Sequence, residues 1–217
     1  MTDFTPTDRT RLKRTHERGH FDRATVFAAL DAGVLCHVGY AIDGQPFVTP
    51  TLHWREGDHV YIHGSSASRM IRHLEAGHPC CLTVSHLDGL VLARSAMHHS
   101  VNFRSVMVLG AMEKVSDDDH KMAALKAMMD RVVPGRWDDV RAPNDQEFKA
   151  TTVLRLPIDE VSAKVRMGPP VDDEEDYALA CWAGVVPCAI ETGTPIADDQ
   201  LAEGTPAPGY LNKIVLG

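Results

Sequence analysis

Apolar residues fall at two spacings along this chain. Where they alternate, they mark strands. Residues 34–42 (VLCHVGYAI) are the first convincing strand, and Asp43-Gly44 is the dipeptide a tight hairpin prefers. Gln45 to Trp54 makes the return strand, with Pro50 marking a bulge or an edge. Glu56-Gly57-Asp58 turns the chain into a third strand, His59 to His63. Cys80 to His86 reads as a fourth strand, bent at Gly89 and extended again over Leu90 to Ala93. Residues 101–115 are predicted as one long strand kinked near Gly110, and residues 150–156 and 161–167 as two more around a turn at 157–160. Residues 178–190 end in a weak strand signal.

Helical spacing occurs three times. Val26, Phe27 and Leu30 stripe a helix over Arg23 to Asp31, capped by Asp22 and stopped at Gly33. Met70, Ile71 and Leu74 stripe another over Ser66 to Glu75, which Gly77 and Pro79 close. Met122, Leu125, Met128 and Met129 stripe a third, running to about Arg131, with acidic Asp117, Asp118 and Asp119 at its start. Pro134-Gly135 breaks it, and residues 138–147 read as an acidic loop. Hairpin-linked strands with few helices imply a mainly β fold, a small Greek-key antiparallel barrel with peripheral helices. Residues 1–22 are a polar arm, draped over a partner subunit or frayed. Residues 23–190 form the barrel domain. Residues 191–217 form an extended tail rich in Pro, Gly and Thr.

Composition narrows the function. The chain has 217 residues and a formal net charge of -8, which argues against broad nucleic-acid binding while leaving room for a local basic pocket. No apolar run reaches the length of a membrane span, and the polar N-terminus does not read as a signal peptide, so a cytoplasmic protein is expected. The five cysteines form no CxxC and no evident disulfide framework. The twelve histidines include no HExxH, and no metal site is expected from their spacing. GxGxxG, P-loop and GxSxG patterns are absent.

Two stretches carry chemistry. In VYIHGSSASRMIRHL, Val60 to Leu74, a strand passes through Gly64 and three serines into a helix holding Arg69 and Arg72. Such a junction presents backbone N–H groups, serine hydroxyls and arginines to an anion, and reads as a phosphate cradle for a nucleotide-like cofactor. The alternative is an ordinary strand–helix junction with a serine cap. In ARSAMHHSVNFRS, residues 93–105, Arg94, His98, His99, Ser100, Asn102, Arg104 and Ser105 crowd donors and acceptors beside apolar strands, as the pyrimidine edge of a flavin requires. A solvated loop is the plainer account of that stretch.

The segments RGHFDRATVFAALDAGVLCHVGY, DGQPFVTPTLHW, VYIHGSSASRMIRHL, HPCCLTVSHLDGLVLARSAMHHSVNFRSVMVLG and SAKVRMGPPVDDEEDYALACWAGVVP, in this order, resemble the pyridoxamine 5'-phosphate oxidase-like superfamily. The likeness covers roughly residues 18–188 and is nearest to the flavin-nucleotide-binding, nitroimidazole-resistance-like branch. It implies an FMN-binding split barrel and a homodimer with FMN at the subunit interface. By that resemblance Ser66, Ser68, Arg69 and Arg72 grip the phosphate, and Val48, Thr49, Pro50 and Thr51 flank the ring. Arg104 and Ser105 take the place of an Arg-Gln pair near the ring, with Asn102 a substitute for the missing glutamine. Trp182 approaches the partner's flavin or is a core aromatic. The C-terminal TPAPGYLNKIVLG lacks the basic residues of the true oxidases, which argues against pyridoxamine phosphate as substrate. The expected activity is an FMN-dependent oxidoreduction of a small organic substrate, with NAD(P)H a possible donor. His63, His98 and His99 are the candidate proton donors. A flavin carrier without turnover, and a haem-handling relative on the same barrel, are the alternatives.

Overall fold

The computed structural model describes residues 2–214. Among them ten strands form one antiparallel sheet: β1 Gly19–His20, β2 Leu35–Ile42, β3 Gln45–Glu56, β4 His59–Ser65, β5 Pro79–Leu92, β6 Ser100–Ala111, β7 Glu113–Lys114, β8 Thr151–Pro157, β9 Glu160–Arg166 and β10 Gly184–Pro187. Their order is β1-β9-β6-β5-β2-β3-β4-β8-β7, with β10 paired to β5. Two strands carry the sheet round into a barrel. The first half of β3 pairs with β2, and from His53 onward it pairs with β4. Beyond Met112 the chain leaving β6 crosses to pair with β8 as β7, which brings the far end of the path round toward β6.

The core explains why these segments are strands. Val38, Val60, Ile62, Leu82, Val84, Val106, Val108, Leu154, Leu156 and Ala163 point inward and are almost fully buried. Four helices lie outside: α1 Arg23–Asp31, α2 Arg69–Glu75, α3 Asp118–Val132 and α4 Asp145–Ala150. Val26, Ala29 and Leu30 of α1, and Met70, Ile71 and Leu74 of α2, join the barrel core. A smaller core of Trp54, Tyr61, Val115 and Val153 lies under Ala124 and Leu125 of α3. Val60 and Ile62 therefore face one core and Tyr61 the other, which is why that strand is apolar on both faces.

The turn chemistry holds. Asp43 (φ 49°) and Gly44 (φ 79°) are both left-handed, the conformation a two-residue hairpin needs. Pro50 is not a bulge. The β2–β3 ladder runs unbroken past it, opposite His37. A two-residue hairpin closes on a hydrogen-bonded pair, here Ile42 and Gln45, so residues at even steps from Gln45 bond to β2. Pro46 and Pro50 fall between, and their missing N–H would point to the open side, where no strand pairs before His53.

Other expectations change. β5 is continuous from Pro79 to Leu92, and the irregularity is a bulge between Leu87 and Gly89 that sets Asp88 apart. The predicted strand 101–115 is divided at Met112 by the crossing to β8. Residues 66–68 form a turn, so α2 begins at Arg69. The acidic loop 138–147 contains the start of α4, fixed by a capping box between Asn144 and Glu147. Gly33 is not a left-handed helix stop. It makes room for the ring of His86, whose Cε1 would lie 2.7 Å from an added Cβ. The arm packs on its own barrel: Phe4 meets Phe27 edge-on, Thr7 and Arg9 bond Glu160, and Gly19–His20 extends the sheet beside β9. In the tail, residues 191–208 form no helix or strand, and Tyr210 returns to accept a hydrogen bond from Arg136 at 2.8 Å. Among the described residues, no helix is long and apolar enough to cross a membrane.

Candidate functional site

The Val60–Leu74 stretch folds as strand, turn and helix. Its backbone is more committed than the sequence suggests. Ser66 N–H donates to Ala150 O (2.8 Å), Ala67 N–H to Ser65 Oγ (3.2 Å) and Ser68 N–H to Ser65 O (2.9 Å). These bonds shape the turn and remove three donors from the cradle. What is left is side-chain chemistry and the first turn of α2. Ser68 makes no side-chain cap, and its hydroxyl and that of Ser66 have no bonded partner among the described residues. Arg69 is exposed, with its guanidinium 4.3 Å over the ring of Phe47 and no acceptor among the described residues. Arg72 Nε donates to Ser66 O at 3.0 Å, so Arg72 braces the turn.

Phe47 links the cradle to β3. It stacks on Tyr40 (5.5 Å between centroids), and Tyr40 lies beside His73 of α2. Pleating divides the segment expected beside the flavin. Thr49 and Thr51 point with Phe47 toward the interior, and the Thr49 hydroxyl lies 3.3 Å from Tyr40 Oη. Val48, 68% exposed, and Pro50 point outward. On that same outer face His37 stands between Pro50 and Thr83, beside exposed Leu35. The His37 imidazole is exposed and makes no hydrogen bond among the described residues. It lines a cavity of about 190 Å³ with Leu35, Ser85, His86 and Ile190. A neighbouring cavity of about 440 Å³ shares Ser85, His86 and Ile190 and adds Leu87, Asp88 and Arg104. His86 is not free, since its Nε2 bonds Ala29 O at 2.8 Å.

The second polar cluster lies toward the other end of β6. Arg104 is bidentate on the bulge residue Asp88 (2.8–3.2 Å), which raises its pKa above the ordinary arginine value through those bonds. Asn102 is buried, donating to Gly168 O and accepting from Arg166, so its amide is already spent. Ser105 donates weakly to Lys164 O at 3.4 Å. Trp182 is not a core aromatic: it is 67% exposed, with its ring folded against Gly184. Arg104 is six residues from Gly110, which pairs with Cys80, itself paired with Tyr40 at the cradle end. At about 3.3 Å per residue that is about 20 Å, so one chain does not bring the two clusters together.

The three candidate proton donors also separate. His63 is half-buried beside Trp54, its Nδ1 has no hydrogen-bond partner among the described residues, and burial lowers its pKa. His98 faces Asp172 and Asp173 at 3.9 and 4.0 Å. His99 Nδ1 is 3.0 Å from Ser95 O. Within the charged crossing that follows β9, Asp172 is buried. Burial alone would raise its pKa, but the bonds it accepts from Arg94 and from the N–H groups of Arg94 and Ser95 lower it. His98, Asp172 and Asp176 are grouped closely enough to ligate a cation, but Asp172 is already fully engaged by Arg94. Tyr40, Phe47 and His37 were not singled out from the sequence. The signal available was their parity: Tyr40 and Phe47 are cross-strand partners through Asp43-Gly44, and His37 is polar at an outward position of an apolar strand.

Known proteins place this architecture. Comparison with curated protein sequences returned no significant match. Among solved structures, the flavocytochrome Anf3 from Azotobacter vinelandii is 49% identical, with 99% of this chain and 100% of that one covered and a TM-score of 0.93. The FAD and heme binding protein from Mycobacterium smegmatis is 37% identical, covering 92% and 98%, with a TM-score of 0.87. A putative 5-nitroimidazole antibiotic resistance protein from Bacteroides thetaiotaomicron, 24% identical over 68% of this chain and 86% of that one with a TM-score of 0.57, shares the fold. The family model described as pyridoxamine 5'-phosphate oxidase matches residues 22–165. With its split barrel and most of its length matched, the chain belongs to the pyridoxamine 5'-phosphate oxidase family, among flavin-binding split-barrel proteins.

Proposed function

We propose that this chain is a redox protein that binds both a flavin and haem, two chains forming a homodimer. The observation that carries the haem half is His37. It is a bare imidazole on the outer sheet face, beside a cavity lined by Leu35 and Ile190 together with Ser85 and His86. That fits what a haem iron takes from a protein, a histidine ligand amid apolar side chains. The flavin half rests on the cradle, where Ser66, Ser68 and Arg69 keep uncommitted donors for a phosphate. The two relatives that match this chain almost end to end support the pairing, since their names give a flavocytochrome and an FAD and heme binding protein.

FMN is the narrower expectation from sequence. We favour FAD, because the second relative is named for it, and the cradle serves the flavin-side phosphate of either. Bound together, a flavin and a haem supply two-electron and one-electron chemistry in one protein. The chain's part is to hold them. Arg69 would grip the flavin phosphate while Arg72 keeps the turn in shape, and Phe47 and Tyr40 wall the adjoining strand. His37 would hold the haem iron, with Leu35 and Leu87 shielding its face from water. The homodimer is supported by the separation of the two polar clusters within one chain and by exposed Leu35, Val48 and Val101. A broader oxidoreductase acting on a small organic substrate with NAD(P)H, in the cytoplasm, is compatible with these features.

Absorption spectra of reconstituted protein test the proposal. Flavin bands and a Soret band are expected together, and mass spectrometry of the released flavin separates FAD from FMN. His37→Ala should lose the Soret band and keep the flavin bands. A Soret band unchanged in that variant would overturn the assignment of His37. Protein that takes up flavin and no haem would leave the flavin oxidoreductase or carrier reading in its place.

A further inference from the structure

The chain is acidic overall, yet one cavity of about 550 Å³ is lined by Arg14, Arg18, His98, His99, Lys164 and Arg166. It lies between the N-terminal arm and the adjoining ends of β6 and β9. Here Arg14, Lys164 and Arg166 have no carboxylate partner within 4.0 Å among the described residues. Arg166 reaches only neutral acceptors, Asn102 Oδ1 and the carbonyls of Gly168 and Pro169. Burial, and after it the charge of Arg18, lowers the Arg166 pKa, as for a cation lacking a counter-charge. The nearby acid Asp172 is spent on Arg94, and Asp173 lies 4.0 Å from the Nε2 of His98. Thr15, on the cavity wall, adopts a left-handed φ of 52°, rare for a β-branched residue, in the turn that carries Arg14 and Arg18.

We propose that this pocket is an anion site for the phosphate groups of a nucleotide, separate from the Ser66–Arg72 cradle of the same chain. Its size suits a ligand larger than a single inorganic ion, and its mainly polar lining offers charge and forked donors, with Met97 and Val171 the apolar side chains at its wall. It cannot be a second grip on the flavin phosphate held by its own chain. Ser100 at the pocket and Gly110 near the cradle are ten residues apart on β6, about 33 Å along the strand. Two sources carry the same chemistry: the adenosine diphosphate half of a flavin bound mainly by the partner subunit, or a separate nucleotide electron donor. The choice of source rests on the flavin reading; the pocket itself does not.

Calorimetric titration of full-length protein with ADP and with 2',5'-ADP tests it. Binding is expected, weakening as salt rises. Arg14→Ala, at an exposed position, and Lys164→Ala, at a half-buried one, should each weaken it about tenfold or more. Lys126→Ala, at an exposed pair with Asp130, should leave it unchanged. Arg14→Glu, with folding checked by circular dichroism, should abolish it. Protein loaded with FAD that no longer binds ADP, while FMN-loaded protein still does, assigns the pocket to the flavin's own adenosine diphosphate. ADP binding to FAD-loaded protein assigns it to a separate nucleotide. No binding of either probe, or binding indifferent to Arg14 and Lys164, overturns the proposal. Neither outcome depends on haem or on turnover, so the flavin–haem reading stands or falls separately.

Discussion

Replacing Arg69 with alanine separates a phosphate cradle from an ordinary strand–helix junction. The guanidinium is exposed and finds no acceptor among the described residues, so the protein itself loses little when it goes. Its contact with the Phe47 ring, worth about 0.5–1 kcal/mol at an exposed site, is present with or without ligand and nearly cancels in a binding comparison. The bond from Arg72 to Ser66 O survives, so the turn keeps its shape. What is lost is one charge-assisted contact to the flavin phosphate, about 1.5–3 kcal/mol, or about ten- to a hundredfold in affinity. Flavin fluorescence quenching on titration into apoprotein reads this directly. FMN and FAD should weaken by that factor, whereas riboflavin, which has no phosphate, should bind the variant and the parent alike. Arg69→Lys should fall between, keeping the charge but not the fork. Equal losses for riboflavin and FMN, or none for FMN, would refute the reasoning.

Further outcomes follow from packing and ionisation. Gly33→Ala places a Cβ 2.7 Å from His86 and should cost about 1–3 kcal/mol from overpacking, plus about 1 kcal/mol if the His86–Ala29 bond breaks; urea unfolding measures it. Burial holds His53 below the ordinary imidazole pKa of 6.5, so the unfolded chain takes up the proton first. Its contribution is fully present above about pH 6.5 and declines toward the lowered folded value, by up to about 1.4 kcal/mol per pH unit. Denaturant midpoints between pH 5 and 8 should show that slope, and His53→Gln should flatten it. Burial pushes the Cys36 and Cys80 thiols up to about 12, so native protein should be alkylated at exposed Cys181 while these two remain unlabelled until it unfolds.

Local interactions made much of the fold legible in the chain. Asp22 accepts from Thr25 N–H, Asp43-Gly44 turns the first hairpin, and Gly77 leaves α2 with φ +82°, because caps and left-handed turns depend on residues next to each other. The stripes of α1 and α2 and the alternation of the long strands were equally readable, since one buried face imposes its period on the sequence. The start of α4 within the loop-like stretch 138–147 is not legible in the sequence, because the capping box of Asn144 and Glu147 begins a helix too short to show a stripe. The phosphate role of Ser66, Ser68 and Arg69 could be proposed from the same local junction. Which of its donors remain free could not, because Ala150, more than eighty residues away, takes the N–H of Ser66.

Composition, caps, turns and periodicity therefore determined an antiparallel barrel with an anion-ready turn, each from neighbours along the chain. Only the tertiary structure decided the rest. It bound Arg104 to Asp88 and closed Asn102 onto Arg166 and Gly168. It left Trp182 in solvent, bared His37 on the outer face, and gathered cations from the arm and β9 into one pocket beside the loop that leads into β6. These outcomes rest on which strands lie side by side and on what each side chain meets across the sheet. Pairing partners distant in sequence fix both, and no local pattern records them.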